Sequence, residues 1–102
     1  MEDINEEGKY KITYTGQFKK DYKKYKGNKT KILKVVKTIS LLEGGVDKLP
    51  KSMKAHFLTG NYKGHLECHI EPDLLIIWLQ YDIEEQRILL VRLGSHSELF
   101  GK

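Results

Sequence analysis

A chain of 102 residues with 39% hydrophobic residues has enough apolar surface for one core and too much for a disordered segment. Its 18 basic and 14 acidic residues leave a net charge of +4, no run of about 18 apolar residues spans a membrane, and one cysteine supports neither an intrachain disulfide nor a zinc cage by itself. The acidic start lacks the basic-then-apolar order of a secretory signal, and a reducing cytoplasm is the simplest home.

Residues 1–8 read as a loose tail carrying Glu2, Asp3, Glu6 and Glu7, and residues 9–102 as a single domain. Beyond the tail the chain has 18 basic residues against 10 acidic ones. Between Lys9 and Lys37 there are eleven lysines and one acid, Asp21. Solvated faces usually mix their signs, so this excess points to a polyanionic partner, either nucleic acid or an acidic protein.

Lys9 to Thr15 alternates, with Tyr10, Ile12 and Tyr14 on one side and Lys9, Lys11 and Thr13 on the other, as in a strand with one wet face. Thr15 can cap a helix that carries Phe18, Tyr22 and Tyr25 at helical spacing. Gly27-Asn28 separates it from a second helix whose stripe is Ile32, Val35, Val36, Ile39 and Leu42, stopped by Gly44-Gly45. So short a turn predicts an αα-hairpin.

Residues 46–53 read as a loop, and His56 to Gly60 as irregular or briefly extended. Three strands follow at about 62–70, 74–82 and 87–93. The middle one, Leu74-Leu75-Ile76-Ile77-Trp78-Leu79, has no alternation, which predicts a central strand buried on both faces. Gly94 to Phe100 is a short tail with room for one helical turn. The predicted order is β-α-α-β-β-β. This is an α+β domain whose two-helix hairpin packs on one face of a mostly antiparallel four-stranded sheet.

The other face is left to a polar row. In Gly64 to Asp73, His65, Glu67, His69 and Glu71 alternate with Leu66, Cys68 and Ile70, and Pro72 then breaks the ladder before Asp73. Such a row fits either a solvated sheet face or a catalytic floor. Cutting RNA without a metal needs a base for the ribose 2′-OH, an acid for the departing 5′-oxygen and cations for the phosphate. His56, His65, His69, His96, Asp73 and Arg92 are residues of those types. Taken singly, each histidine is more simply a surface or hydrogen-bonding residue, Glu67 and Glu71 are solvating groups, Arg92 pairs with a carboxylate or reaches the polar face, and Cys68 and Trp78 belong to the core. Phe100 either tucks onto the sheet or stacks on a nucleobase. Metal-binding motifs are missing, and His65 and His69 are poorly spaced as ligands.

Four stretches, taken in order, are more specific than any one residue: His56-Phe57-Leu58-Thr59-Gly60, Lys63-Gly64, His69-Ile70-Glu71-Pro72-Asp73, and Arg92-Leu93-Gly94-Ser95-His96-Ser97-Glu98-Leu99-Phe100. With Tyr14 to Asp21 at the front, this series resembles the YafQ branch of the RelE toxin superfamily. The pattern there is His-x-Leu-x-Gly, Lys-Gly, His-x-x-Pro-Asp and Arg-x-Gly-[Ser/Thr]-His-x-x-Leu-Phe. The resemblance implies a microbial-ribonuclease-like fold and a toxin of a bacterial type II toxin–antitoxin pair that cuts mRNA in the ribosomal A site without a metal or other cofactor.

Carried over by motif, it implies a catalytic set of His56, His69, Asp73, His96 and Phe100, with Lys63 and Arg92 on phosphate. His96 is the choice for general acid. His69 or Asp73 is the base, or Asp73 orients the imidazole. His65 stands where an aromatic is usual in the family and is left out. Lys19, Lys20, Lys23 and Lys24 are expected to contact the ribosome or the antitoxin. The implied partners are a cognate antitoxin with an acidic segment wrapping the toxin, the ribosome with its mRNA, operator DNA only through the antitoxin, and no membrane. Two other readings stay open: a non-catalytic basic RNA- or protein-binding module, and a ribonuclease acting on free RNA.

Overall fold

Leu74–Leu79 forms part of the middle strand of a five-stranded sheet in the computed structural model, which describes residues 9–82 and 84–101. The acidic segment at residues 1–8 lies outside the described residues. The strands are β1 (Lys11–Tyr14), β2 (His56–Phe57), β3 (Leu66–Glu71), β4 (Leu74–Asp82) and β5 (Arg87–Gly94), in the order β1-β5-β4-β3-β2. Only the β1–β5 pair is parallel. The sheet therefore has one strand more than the four expected. The extra strand, β2, sets His56 opposite Glu67 on β3, and two residues are too few to display an alternation in sequence.

Helix α1 (Gly16–Lys23) starts at Thr15, whose hydroxyl accepts the Phe18 N–H at 2.9 Å. Helix α2 (Lys29–Glu43) starts at Asn28, whose side chain accepts the Lys31 N–H at 3.1 Å. Each cap satisfies a donor that the first helical turn leaves unpaired. Phe18, Val35 and Leu42 of this hairpin bury against Cys68, Ile76, Trp78, Ile88, Leu90 and Leu93 of the sheet. Burial also pushes the Cys68 thiol up to about 12, with the Glu67 charge adding to it, which suits a small core residue better than a nucleophile.

The opposite face is not the open polar row. Leu75 and Ile77 of β4 are covered there by Leu99 of a third helix, α3 (His96–Phe100), with Leu58, Tyr62 and Val91 around them. The alternation also fails at the end of β3. The pairing register shifts between His69 and Glu71, so one residue bulges and the following side chain changes face. Glu71 turns to α2, where Lys31 and Lys34 hold its carboxylate, the latter at 2.9 Å. Glu67, expected to solvate the face, is only 5% exposed.

One buried acid closes the edge of the sheet. β1 stops opposite Leu90, and Thr15 extends the contact by donating its N–H to Leu90 O and its hydroxyl to Val91 O. Beyond that point α1 takes over. Asp21, fully buried, accepts the Leu93 N–H at 2.9 Å, Arg92 Nε at 2.8 Å and Gln17 Nε2 at 3.0 Å. Burial alone would raise its pKa, but Arg92, the Leu93 amide and Gln17 together hold it below the ordinary 3.8.

Asp21→Asn is expected to destabilise the fold by about 3 kcal/mol at pH 7, because it leaves Arg92 without its counter-charge. A carboxyl with a depressed folded pKa contributes stability above its unfolded value of 3.8 and loses it as pH falls through the folded value. The gap between wild type and variant in urea unfolding should therefore be widest near neutrality and narrow as pH falls below 3.8. Equal stability at pH 7 would refute this role.

Candidate active site

The turn at Pro72-Asp73 leads into β4, and the pairing of Leu75 with Gly94 brings that turn beside the end of β5. There the chain leaves the sheet and begins α3. Ser95 Oγ accepts the Glu98 N–H at 3.2 Å, and Glu98 Oε1 accepts the Ser95 N–H at 2.9 Å, completing a capping box. A Cβ at Gly94 would meet Glu98 Oε1 at 2.6 Å, so a larger residue there would displace the carboxylate that closes the box. Glu98 also accepts the Tyr25 hydroxyl at 3.2 Å and lies 3.9 Å from Lys24 Nζ. Five residues are too few for an independent helix. This one persists through its box, the tie to Tyr25 and burial of Leu99.

The helix carries His96 to Asp73. A single carboxylate oxygen, Asp73 Oδ1, accepts both the His96 backbone N–H at 2.9 Å and Nδ1–H at 2.6 Å. The backbone N–H first, and the imidazole next, hold the Asp73 carboxyl below the ordinary carboxylate range. With Nδ1 as donor, Nε2 is left free for chemistry. The ring of His69, on β3, lies 5.6 Å from that of His96, and its nitrogens carry no hydrogen bond to the described residues. Phe100, one turn along α3, sits 6.4 Å from His96 on another side.

His56 stands one strand further out. Its Nδ1 lies 2.7 Å from Lys54 O, and its Nε2 lies 3.2 Å from Glu67 Oε2. Lys54 is held in the left-handed region, at φ 54°, and that places its carbonyl against the ring. Glu67 Oε1 has no hydrogen-bond partner among the described residues. Glu67 and His69 are two residues apart on β3 and share a face. The face thus carries a free imidazole flanked by a His–Asp pair and a His–Glu pair.

The sequence of residues 10–101 matches the family described as the bacterial toxin of type II toxin–antitoxin systems, YafQ. The mRNA interferase toxin YafQ of Escherichia coli K12 is 33% identical over 90 residues, covering 88% of this chain and 95% of that protein. This chain belongs to the YafQ toxin family. Its fold agrees. The toxin in the E. coli DinJ–YafQ complex superposes with a TM-score of 0.77 at 33% identity, over 90% of this chain and 99% of that one. A metal-bound toxin from Helicobacter pylori gives 0.66 at 36% identity, over 89% and 99%. Among the described residues of the present chain, no three His, Cys, Asp or Glu side chains gather to hold a metal.

Of the residues expected from the YafQ pattern, His69, Asp73, His96 and Phe100 come together, with His56 set beside them through Glu67. Arg92 does not point freely at the site. Its guanidinium is tied to Asp21, with Nε 2.8 Å from Oδ2. Lys63 follows the turn at Gly60–Tyr62 and is exposed. Lys19 and Lys23 border a groove of about 460 Å³ between α1 and α2, whose apolar lining includes Tyr14, Phe18, Tyr22, Val36 and Ile39. Lys20 lies exposed on α1, and Lys24 follows it beside Glu98.

Two contributors escape a reading by residue type. Glu67 looks like a solvating residue, and only its pairing with the short β2 shows otherwise. Tyr62 belongs to no motif.

Ser95→Ala removes the cap of α3 and is expected to cost about 1 kcal/mol. Because the helix is short, the loss should appear locally, as faster amide hydrogen exchange at Leu99 and Gly101, whose N–H groups donate to Ser95 O and Ser97 O. Unchanged exchange there would mean that Leu99 burial alone holds α3.

Proposed function

We propose that this toxin is an endoribonuclease that enters the ribosomal A site and cuts the mRNA there by acid–base chemistry from its own side chains, in the cytoplasm and without a metal. The observation that carries the reading is the Asp73–His96 pair, with the unengaged ring of His69 5.6 Å away. His69 takes the proton of a ribose 2′-OH, whose oxygen attacks the adjacent phosphorus. The bond to the 5′-oxygen breaks, and His96 Nε2 supplies its proton. The products are a 2′,3′-cyclic phosphate and a 5′-hydroxyl. Asp73 already receives two hydrogen bonds from His96, so it serves as the orienting group rather than the base. His56, backed by Glu67, assists proton transfer, Phe100 receives a base, and Arg92 and Lys63 offset phosphate charge.

The α1–α2 surface suits a protein partner. Its groove is apolar and bordered by Lys19, Lys23 and Lys26, and the only acid of the hairpin's lysine-rich stretch, Asp21, is buried. An acidic segment of a cognate antitoxin, with apolar residues entering the groove and carboxylates on the lysines, is the occupant that fits. The lysines remain available to ribosomal RNA when the antitoxin is absent, a contact that weakens with salt.

His96→Ala is expected to lower cleavage by about 10² to 10⁴-fold with the fold unchanged. Primer extension on a defined mRNA, with and without ribosomes, and on the same mRNA carrying a phosphorothioate at the scissile phosphate, with and without Cd2+, checks each part. Cuts should need ribosomes, and Cd2+ should not restore cutting at the phosphorothioate. Equal cutting of free RNA points to a general ribonuclease, intact RNA under stable binding to a non-catalytic module, and rescue by Cd2+ to a metal-dependent reaction.

Val36→Asp should weaken antitoxin capture about tenfold and leave mRNA cleavage unchanged. Capture at wild-type strength would move the antitoxin to another surface.

A further inference from the structure

The chain approaches β2 through a single tight turn at Lys51–Met53. Met53 and Lys54 donate their N–H groups to Pro50 O and Lys51 O, each at 3.0 Å, and the Met53 side chain packs against the core. Lys54 then takes φ 54° and ψ 47°, the left-handed region that residues other than glycine and asparagine seldom enter. Its carbonyl faces His56 Nδ1 at 2.7 Å. At the end of β3 the strand bulges between His69 and Glu71. A cleft of about 380 Å³ opens between turn and bulge, lined by Ser52, Met53 and Lys54 from the first and by His69, Glu71 and Pro72 from the second.

The chemistry of this cleft suits a nucleotide. Its volume lies within the range of small-ligand sites, about 300–1,000 Å³. Met53 and Pro72 give it apolar surface. Glu71, the only acid among its described lining residues, already accepts from Lys31 and Lys34. The Lys54 ammonium is exposed and has no carboxylate partner among the described residues, and the Ser52 hydroxyl has no hydrogen bond to them. A backbone conformation costly for a lysine, carrying a lysine with a free charge, points to work for that side chain. His69 belongs both to the cleft and to the candidate site, whereas His96 and Phe100 lie outside the cleft. With His69 taking the 2′-OH proton, the nucleotide that bears this hydroxyl is the one beside the cleft. The leaving nucleotide is on the side of His96 and Phe100.

We propose that this cleft is the subsite for the nucleotide 5′ of the cut, with the Lys54 ammonium on that nucleotide's 5′-phosphate and Met53 and Pro72 against its base. The proposal rests on the ribonuclease reading above and gives the RNA a direction, its 5′ side in the cleft and its 3′ side along α3. The phosphate that Lys54 meets does not react. Lys54 therefore acts on substrate binding and leaves the chemical step alone.

The test is cleavage kinetics on an RNA that the wild-type protein cuts, on ribosomes where it needs them. The RNA is used unmodified, with an uncharged methylphosphonate on the 5′ side of the nucleotide bearing the attacking hydroxyl, or with one on the 3′ side of the leaving nucleotide. Lys54→Gly accepts the left-handed backbone and keeps the carbonyl beside His56, and Lys54→Arg keeps the charge. On unmodified RNA, Lys54→Gly should raise apparent KM about tenfold at unchanged kcat, and Lys54→Arg should recover most of the loss. The gap between wild type and Lys54→Gly should vanish on the 5′-substituted RNA and persist on the 3′-substituted one, because only groups in contact couple. Thermal midpoints by circular dichroism check the fold, and Lys54→Asn, which also tolerates the left-handed region, replaces Lys54→Gly if glycine unfolds the protein. Wild-type kinetics in Lys54→Gly would overturn the inference and leave the ribonuclease reading standing. So would a loss in kcat alone, or an equal gap on all the RNAs, which would put Lys54 on a phosphate elsewhere. A gap closed only by the 3′ substitution would overturn the direction of the RNA. A wild-type protein that cuts no RNA would remove the ribonuclease reading and this inference with it.

Discussion

Six consecutive apolar residues at the middle of the sheet must be covered on both faces. Leu74 to Trp78 are all essentially inaccessible to water, and their side chains alternate between the two sides. Leaving either side wet would forfeit about 1.5–3 kcal/mol for each large side chain exposed. The α1–α2 hairpin covers one face. Among the described residues the other is covered by Leu58, Tyr62, Val91 and the short helix α3. The cover of this second face therefore comes from the same segments that carry His96, Phe100 and Tyr62. Hydrophobic burial of Leu99 against Leu75 and Ile77 sets where the imidazole of His96 stands, so core packing and site geometry are one arrangement.

Charge is sorted in a similar way. The lysine excess of the first half stays on the helices, and three acids tie the helices to the second half of the chain. Glu71 bridges to Lys31 and Lys34, Glu98 to Tyr25 and Lys24, and Asp21 to Arg92. Each contact links elements distant in sequence, and two of them fasten the segments beside the candidate site. The lysines left over give the hairpin an exposed basic surface.

Local signals made the scaffold legible. Thr15, Asn28 and Gly44 mark helix ends because capping is decided by neighbours in sequence, and the unbroken apolar run announced a central strand. The members of the site were legible through a family resemblance, since residue type alone did not separate His69 from His65. What stayed hidden depends on tertiary pairing. A two-residue strand at His56–Phe57 exists only because β3 offers an edge. The bulge before Glu71 undoes an alternation that looks complete on paper. The buried state of Glu67 follows from its neighbours across the sheet. Asp21 was visible as an anomaly among lysines, but its partners lie 71 and 72 residues away.

The parallel pairing of β1 with β5 joins residues 11–14 to residues 87–90. An edge strand that among the described residues pairs with β5 alone must wait for that late strand before it can be placed, a non-local closure that slows folding. His96 and Phe100 come later still. During synthesis the hairpin and its lysines are exposed well before the second face of the sheet is covered or the acid of the Asp73–His96 pair has its imidazole. The order of elements thus acts as a timer: the basic hairpin emerges first, and the Asp73–His96 pair is assembled last.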